Sequence, residues 1–306
     1  MNARKLKTVL ILPLLVCLLV VFTAADVRAQ LSAGQARKAF MQTPGFKLKD
    51  SSVRVRSVSA SSKAAAEASA EIKSVFRMEQ DKQGNWRVAE IRSGEDTWEE
   101  IDLIASALKA QVATGACTAP DPPAKGKSAT DPSVKRARCL VASLLGVELP
   151  SDAVRIQEVS PAPLPLASQG SATVVAWVKV DARLLNDKKG WRITELRTGN
   201  RDWTSLESLF AAVNSEKQQR ARADLELMAK ALEHFRKDRG FYIVSDSQAV
   251  AMDHLSPRYL TRVIRVDPWH QPYKYQGDRD RFTLRSAGPD GKADTPDDIQ
   301  LTNPVR

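Results

Sequence analysis

Alternating apolar and polar residues predict three consecutive strands near the start of the chain. Residues 53–59 and 70–78 alternate with a period of two, which is typical of half-buried β-strands. A turn then leads into residues 86–92, which show the same alternation. Apolar residues at helical spacing predict a helix over residues 99–112, and residues 36–41 form the end of an earlier short helix. The pattern therefore reads helix, three strands and helix.

The same pattern occurs twice. The segment Trp86-Arg-Val-Ala-Glu-Ile-Arg-Ser-Gly-Glu-Asp-Thr-Trp98 returns as Trp191-Arg-Ile-Thr-Glu-Leu-Arg-Thr-Gly-Asn-Arg-Asp-Trp203, with identical spacing of its shared residues. Upstream, residues 53–59 correspond in the same way to residues 154–160. An internal repeat of this quality indicates two copies of one module. We therefore predict an α+β fold that begins with two tandem, small, helix-plus-antiparallel-sheet repeats.

The tryptophans and the Glu-x-Arg pairs of the repeats allow two interpretations. They could form a binding surface. Tryptophans at the starts of strands and helices are more often core anchors, and Glu90 with Arg92 and Glu195 with Arg197 could be cross-strand pairs. The structural interpretation is the one we favour from the sequence.

A long helix is predicted from about Thr204 to Lys237, with Gly240 just past its end as a stop signal. Two apolar stripes lie on it, one before and one after the segment 214–220, which is polar on all sides. We expect one continuous rod whose middle is exposed to solvent. The second stripe consists of Leu225, Met228, Leu232 and Phe235.

The C-terminal segment carries the most specific motifs. Asp267-Pro-Trp-His-Gln-Pro-Tyr-Lys-Tyr275 predicts a turn and a short strand, and Phe282 and Leu284 predict a second strand. Ser286-Ala-Gly-Pro-Asp-Gly291 then opens an acidic loop that ends at Asp298-Ile299. From about residue 215 to residue 306 the chain resembles the major pseudopilin of type II secretion systems, the G subunit. That resemblance implies a pilin-like long helix packed on an antiparallel sheet, and a calcium ion held by the acidic loop.

The acidic loop supplies the oxygen ligands that calcium prefers in proteins. The candidate ligands are Asp290, Asp297, Asp298, Ser286 and Asp294. The resemblance favours Asp290 with Asp297 or Asp298, and the alternative for the whole loop is a solvated acidic turn. His270 stands where the family has a glycine, so a positive-φ turn there would be altered or strained. We otherwise expect an exposed turn histidine.

The first thirty residues predict export. Three basic residues precede an apolar run from Val9 to Phe22, and Val27-Arg28-Ala29 offers a cleavage site. An uncleaved segment would instead anchor the protein in the inner membrane. The segment lacks the prepilin junction at the start of the apolar helix, so we do not expect an ordinary pseudopilus subunit. The predicted domains are a signal peptide (1–29), repeat module 1 (30–112), a Pro-rich linker (113–133), repeat module 2 (134–213) and a pseudopilin-like calcium-binding domain (214–306).

Charge and cysteine usage agree with an exported protein. The chain carries a net charge of +10, with basic and acidic residues interspersed, so a generic solubilising excess is the simpler explanation than an acidic partner. Cys117 and Cys139 would remain after cleavage. In an oxidising compartment they could form a disulfide, and two free thiols are the alternative.

Enzyme and nucleic-acid signatures are missing from the sequence. We find no nucleophile elbow, phosphate-binding glycine loop or zinc motif, and no basic patch interleaved with aromatic residues. The leading hypothesis is a non-enzymatic, periplasmic or secreted protein that acts in or beside type II secretion, with secretion-system or other envelope proteins as partners. The alternative is an envelope binding protein whose Trp-bearing repeats recognise a polymer or small ligand.

Overall fold

A computed structural model of the chain describes residues 31–45, 47–108, 117, 132–149, 151–162 and 170–303. The chain divides into two compact units. The first comprises Met1–Asp96 and Ala113–Leu206, and the second comprises Thr97–Val112 and Glu207–Arg306. The predicted signal peptide and nearly all of the predicted linker lie outside the described residues.

The helices and strands follow in chain order. They are α1 (Ala33–Met41), β1 (Val53–Ala60), β2 (Ala65–Gln80), β3 (Trp86–Arg92), β4 (Trp98–Glu100), α2 (Ile101–Leu108), α3 (Val134–Leu145), β5 (Val154–Pro161), β6 (Ser171–Asp187), β7 (Gly190–Arg197), β8 (Thr204–Ser205), α4 (Leu206–Arg239), α5 (Gln248–Leu255), β9 (Lys274–Gly277), β10 (Phe282–Ser286) and β11 (Ile299–Thr302).

The two repeats build one sheet in the first unit. Strand β2 of the first copy pairs antiparallel with β6 of the second, from Ala65 opposite Leu185 to Glu79 opposite Ser171. The strands of this unit lie in the order β3-β2-β6-β7-β8, with β1 paired to β2 and β5 paired to β6. The predicted α+β class is confirmed, and the copies share a sheet where the sequence suggested one small sheet for each.

The strand registers of the two copies are the same. In the first copy Arg54 lies opposite Glu71, and in the second Arg155 lies opposite Trp177, each beside a bulge two or three residues further on. Helix α1 packs on β1 of its own copy and on β7 of the other, whereas α3 packs on β5 and on β3. Each copy therefore covers part of the other, and the two halves are intertwined about an approximate two-fold axis.

Two tryptophans and two glutamates of the repeated motif make packing and ion-pair contacts within this unit. Trp86 is buried. The Trp203 ring lies beneath the guanidinium groups of Arg183 and Arg197, at 4.2 and 4.5 Å from its centroid. Glu195 pairs across the strands with Arg183 at 3.0 Å, and Glu90 pairs in the same way with the arginine at the equivalent position of β2. These contacts agree with a structural role for the motif, but the glutamates pair with arginines of the neighbouring strand and not, as we had predicted, with Arg92 and Arg197.

The two cysteines form a disulfide within the first unit. Cys117 and Cys139 are joined, with 5.8 Å between their Cα atoms. The bond joins Cys139 of α3 to Cys117, so of the two alternatives that the sequence left open the structure has the disulfide.

Helix α4 packs on the three-stranded sheet of the second unit, whose order is β11-β10-β9. The predicted apolar stripe is buried against residues of this sheet and of the segment after the helix. The shared core includes Leu225, Met228, Leu232, Phe235, Tyr242, Tyr273, Tyr275, Phe282 and Leu284. Such a stripe stabilises a helix mainly through the apolar area that it removes from water. The predicted arrangement of a long helix on an antiparallel sheet is confirmed.

The middle of α4 is only partly exposed to solvent, contrary to our expectation of a solvent-exposed segment. Lys217 is 6% exposed and pairs with Glu99 of β4 at 2.8 Å. Asn214 accepts a hydrogen bond from the Trp269 indole at 3.0 Å. Lys217 is buried and Asn214 is half-buried because other segments of the same unit supply their partners, whereas Ser215 and Gln219 remain exposed.

One helix boundary also differs from the prediction. The helix expected over residues 99–112 begins at Ile101, because Trp98–Glu100 is extended. The extended backbone presents Glu99 and Glu100 to Lys217 and Arg220 of α4. Among the helices in the described ranges, none is long and apolar enough to cross a membrane.

Candidate cation-binding loop

The acidic loop is held at both ends by one strand pair. Strands β10 and β11 flank it, and Ser286 lies directly opposite Ile299 in their register. Inside the loop, Gly288 and Gly291 have φ of 66° and 65°. A Cβ at Gly288 would lie 2.4 Å from the Asp297 carbonyl oxygen, so only glycine fits at that point. The loop is therefore a defined turn, and its side chains have defined directions.

Three of the five predicted ligands converge on one hydroxyl group. The Thr295 Oγ1 lies 2.7 Å from Asp297 Oδ1 and 3.4 Å from both Asp290 Oδ1 and Asp298 Oδ1. The Lys292 carbonyl oxygen is 3.1 Å from the same atom. A hydroxyl has one hydrogen to donate, so it satisfies only one of these four acceptors at a time. Asp290 Oδ1 also accepts the Lys292 N–H at 2.7 Å, so two donors serve four acceptor atoms at this point.

Backbone N–H groups donate hydrogen bonds to two of these carboxylates. Asp290 N donates to Asp297 Oδ2 at 3.1 Å, and Asp294 N donates to Asp298 Oδ2 at 2.9 Å. The hydrogen bond from the Thr295 hydroxyl, followed by that from the Asp290 N–H, lowers the pKa of Asp297 below its usual range. Asp297 is therefore ionised at neutral pH and contributes a negative charge to the cluster.

The other two predicted ligands have different partners. Asp294 adopts φ of 68°, is 80% exposed at its side chain, and pairs with Arg285. Arg285 also lies 3.4 Å from Asp298 Oδ2 and so neutralises part of the loop's charge. Ser286 is fully buried, and its hydroxyl donates to Asp267 Oδ2 at 2.5 Å. The structure thus separates Asp294 and Ser286 from the carboxylates around Thr295.

The oxygen atoms around Thr295 are of the type that a hard cation binds, but they do not form a complete coordination shell. Carboxylate and carbonyl oxygens on a tightly turning chain are the donors that Ca²⁺ takes. Within the part of the chain that the structure describes, no three His, Cys, Asp or Glu side chains already stand in metal-binding geometry. The Thr295 hydroxyl and the Lys292 carbonyl were missed in the sequence, where neither stands out from the other polar loop residues.

The turn before β9 is hydrogen-bonded to the start of the acidic loop through one buried carboxylate. Asp267 is buried, and its Oδ1 accepts hydrogen bonds from the backbone N–H groups of Trp269 at 3.0 Å and Gln271 at 2.9 Å. Its other oxygen receives the Ser286 hydroxyl. One carboxylate therefore connects the Asp-Pro-Trp turn to the first residue of the acidic loop.

His270 in this turn is not the exposed histidine that we expected. Its φ is 66°, so the position does require the left-handed conformation that glycine adopts freely. Its Nε2 lies 3.3 Å from Glu99 Oε1, in the same cluster as Lys217. Burial alone would raise the pKa of Glu99, but the hydrogen bonds from His270 and Lys217 outweigh it and leave that pKa lowered. The histidine side chain is thereby held by an ionised carboxylate.

Comparison with known proteins identifies part of the chain. Residues 208–303 match the family model described as Type II secretion system (T2SS), protein G. No curated protein and no solved structure matches the chain. The matched residues begin at the start of α4 and include the whole three-stranded sheet and the acidic loop. The resemblance drawn from the C-terminal motifs is confirmed, and the second unit carries a pseudopilin-like domain.

Proposed function

We propose that this chain is a non-enzymatic, exported protein that acts in or beside type II protein secretion through its pseudopilin-like second unit. The observation that carries the proposal is the family match over residues 208–303, which coincides with a separately packed unit of the structure. That family is structural and belongs to the cell envelope, so an envelope location and envelope-protein partners follow for this chain.

We further propose that the second unit binds calcium through its acidic loop. Asp290, Asp297 and Asp298 are the side chains best placed to hold the ion, because their oxygens already surround one hydroxyl group. Asp294 would first have to leave Arg285, and the Ser286 hydroxyl is held by Asp267, so both are weaker candidates. A bound calcium ion would supply positive charge to these carboxylates and so fix the loop against their mutual repulsion.

The partner is tested by crosslinking the tagged full-length chain in cells and probing the product for pseudopilus and secretin components. Recovery of these components supports the proposal. Recovery of glycan or lipid alone supports the alternative, in which the repeats bind an envelope polymer or small ligand. A variant with Tyr273→Ala, which removes a buried ring from the second unit, should lose the crosslinks. Ala64→Ser, at an exposed position of the first unit, should keep them.

The calcium proposal is tested separately, so that the partner proposal and the calcium proposal can each fail without the other. Asp297→Ala should remove calcium binding, whereas Asp280→Ala, an exposed position in the β9–β10 turn, should not. If the crosslinks persist in Asp297→Ala, the partner proposal stands without a calcium requirement. If the wild-type chain binds no calcium, the loop is the solvated acidic turn that the sequence left open.

A further inference from the structure

The approximate two-fold symmetry of the first unit is broken at one pair of positions. Glu71 on β2 and Trp177 on β6 are equivalent by register, since Arg54 faces the first and Arg155 faces the second. Trp177 is 6% exposed, and the guanidinium of Arg54 stacks on its ring at 3.9 Å. At the equivalent place Arg155 meets the Glu71 carboxylate at 3.2 Å. An indole on one side of the axis is thus replaced by a much smaller side chain on the other.

A groove of about 950 Å³ opens on the Glu71 side. Its walls come from both repeats, since β1 and β2 contribute from the first copy, and α3, β5 and β6 from the second. Its charged lining residues are the cations Arg56, Arg138, Arg155 and Lys179 and the carboxylates Glu71, Asp152 and Asp181, and its hydroxyl groups are those of Ser57 and Ser69. The Glu71 carboxylate leaves open the kind of space that the Trp177 ring fills in the other half of the unit.

Four cations and three carboxylates line the groove, and one of the carboxylates, Asp181, is already paired with Arg197 at 3.1 Å. Glu71 alone serves both Arg56, at 2.7 Å, and Arg155, at 3.2 Å. Lys179 lies opposite Glu71 in the strand register, and among the described residues its ammonium has no ion-pair partner. The Ser69 hydroxyl and the Arg138 Nε are buried, and neither has a hydrogen-bond partner in the described parts of the chain. Buried donors without acceptors cost free energy, which a ligand carrying acceptor oxygens would recover.

We propose that this groove binds a phosphate group, either free or as part of a larger anionic ligand. Guanidinium and ammonium groups that approach from β1, β5 and β6 suit the several oxygens of a tetrahedral oxyanion, and arginine is well matched to phosphate geometry. The two arginines on Glu71 are about half exposed, at 50% and 55%, so they are free to turn toward a ligand. The volume exceeds that of inorganic phosphate and leaves room for an organic portion beside Val134, which is 52% exposed.

The test is calorimetric titration of the full chain with inorganic phosphate at physiological salt, where non-specific attraction to a basic protein is screened. Lys179→Ala removes a cation that has no ion pair to lose, so the fold should be unaffected. It should weaken binding about tenfold, the usual value of one hydrogen bond to a charged group. Glu71→Gln removes the carboxylate that pairs with both arginines and should tighten binding about fivefold, as expected for one unit charge at close range.

The approximate symmetry supplies a matched control. Lys73 is the equivalent of Lys179 and lies opposite Trp177 in the strand register. Lys73→Ala makes the same change in charge on the side of the two-fold axis where the Trp177 ring fills the space. It should therefore leave phosphate binding within about twofold of wild type. Equal losses in Lys73→Ala and Lys179→Ala would mean general charge attraction and would overturn the proposal. So would unchanged binding in Lys179→Ala.

A second titration distinguishes the sources of the phosphate. Vesicles of phosphatidylglycerol mixed with phosphatidylcholine present the group on a lipid surface, and phosphatidylcholine vesicles serve as the reference. Binding to the phosphatidylglycerol vesicles that is lost in Lys179→Ala, with no binding of free phosphate, would assign the groove to a lipid headgroup. Binding of free phosphate alone would assign it to a soluble ligand. Failure of both probes to bind the wild-type chain would end the proposal.

Discussion

The ammonium group of Lys217 contacts both carboxylate oxygens of Glu99, at 3.0 Å to Oε1 and 2.8 Å to Oε2. The two side chains are 8% and 20% exposed, so the pair is largely removed from water. The contact joins the middle of α4 to β4 within the second unit, where the sequence shows only a polar stretch of helix. Because removing one partner leaves the other charge largely buried, the loss of either side chain should destabilise this part of the unit.

Lys217→Met should lower the free energy of unfolding of the second unit by about 3 kcal/mol, because it leaves the Glu99 carboxylate buried without its main cation. Urea denaturation followed by circular dichroism measures the change. Lys230→Met, at an exposed position of the same helix, is the control and should change stability by less than about 0.5 kcal/mol. A loss no larger than the control's would show that the pair adds nothing to stability.

The Glu99 cluster should also make stability depend on pH in a defined direction. The pKa of Glu99 is lowered in the folded state from its ordinary value of 4.5, so the unfolded chain binds this proton first as the pH falls. The stabilisation is complete above about pH 5 and is lost as the pH falls through the lowered folded value. Unfolding free energies measured between pH 7 and pH 3 should fall less steeply in Glu99→Gln. Glu226→Gln, an exposed site on α4, should follow the wild-type curve.

Calcium should raise the thermal midpoint of the second unit, and a chelator should reverse the change. Free calcium about a hundredfold above the dissociation constant contributes about 2.7 kcal/mol, because the folded state alone binds it. Asp290→Ala and Asp297→Ala should each abolish the shift, since both remove an oxygen from the group around Thr295. Asp280→Ala should retain it. Identical curves for wild type and Asp290→Ala, with and without calcium, would show that the loop is not a site.

The two loop glycines should respond differently to alanine. Both have left-handed φ, but a Cβ at Gly291 would meet nothing closer than 3.7 Å, whereas one at Gly288 would lie 2.4 Å from the Asp297 backbone. Gly291→Ala should therefore cost about 1 kcal/mol, the conformational penalty alone. Gly288→Ala should cost more and should also weaken calcium binding, because Asp297 must move. Equal effects in a melting experiment would contradict the close approach described for Gly288.

Much of the local structure could be predicted from the sequence. Each feature that was predicted correctly depends on the spacing of residues within one continuous segment. Examples are the internal repeat, the strand Trp86–Arg92 and the apolar stripe of α4. The C-terminal motifs identified the pseudopilin-like domain, because their spacing is preserved within one continuous segment.

The partners of polar groups were decided by the tertiary structure alone. Lys217 and Glu99 are far apart in the chain, and nothing in the helical pattern indicates that a strand will bury the lysine. The same holds for the pairing of β2 with β6, which merged the two repeats and left Glu71 and Trp177 in equivalent places with different surroundings. Periodicity reports which face of an element is apolar, whereas a polar side chain acquires its burial and charge from whatever the fold brings beside it.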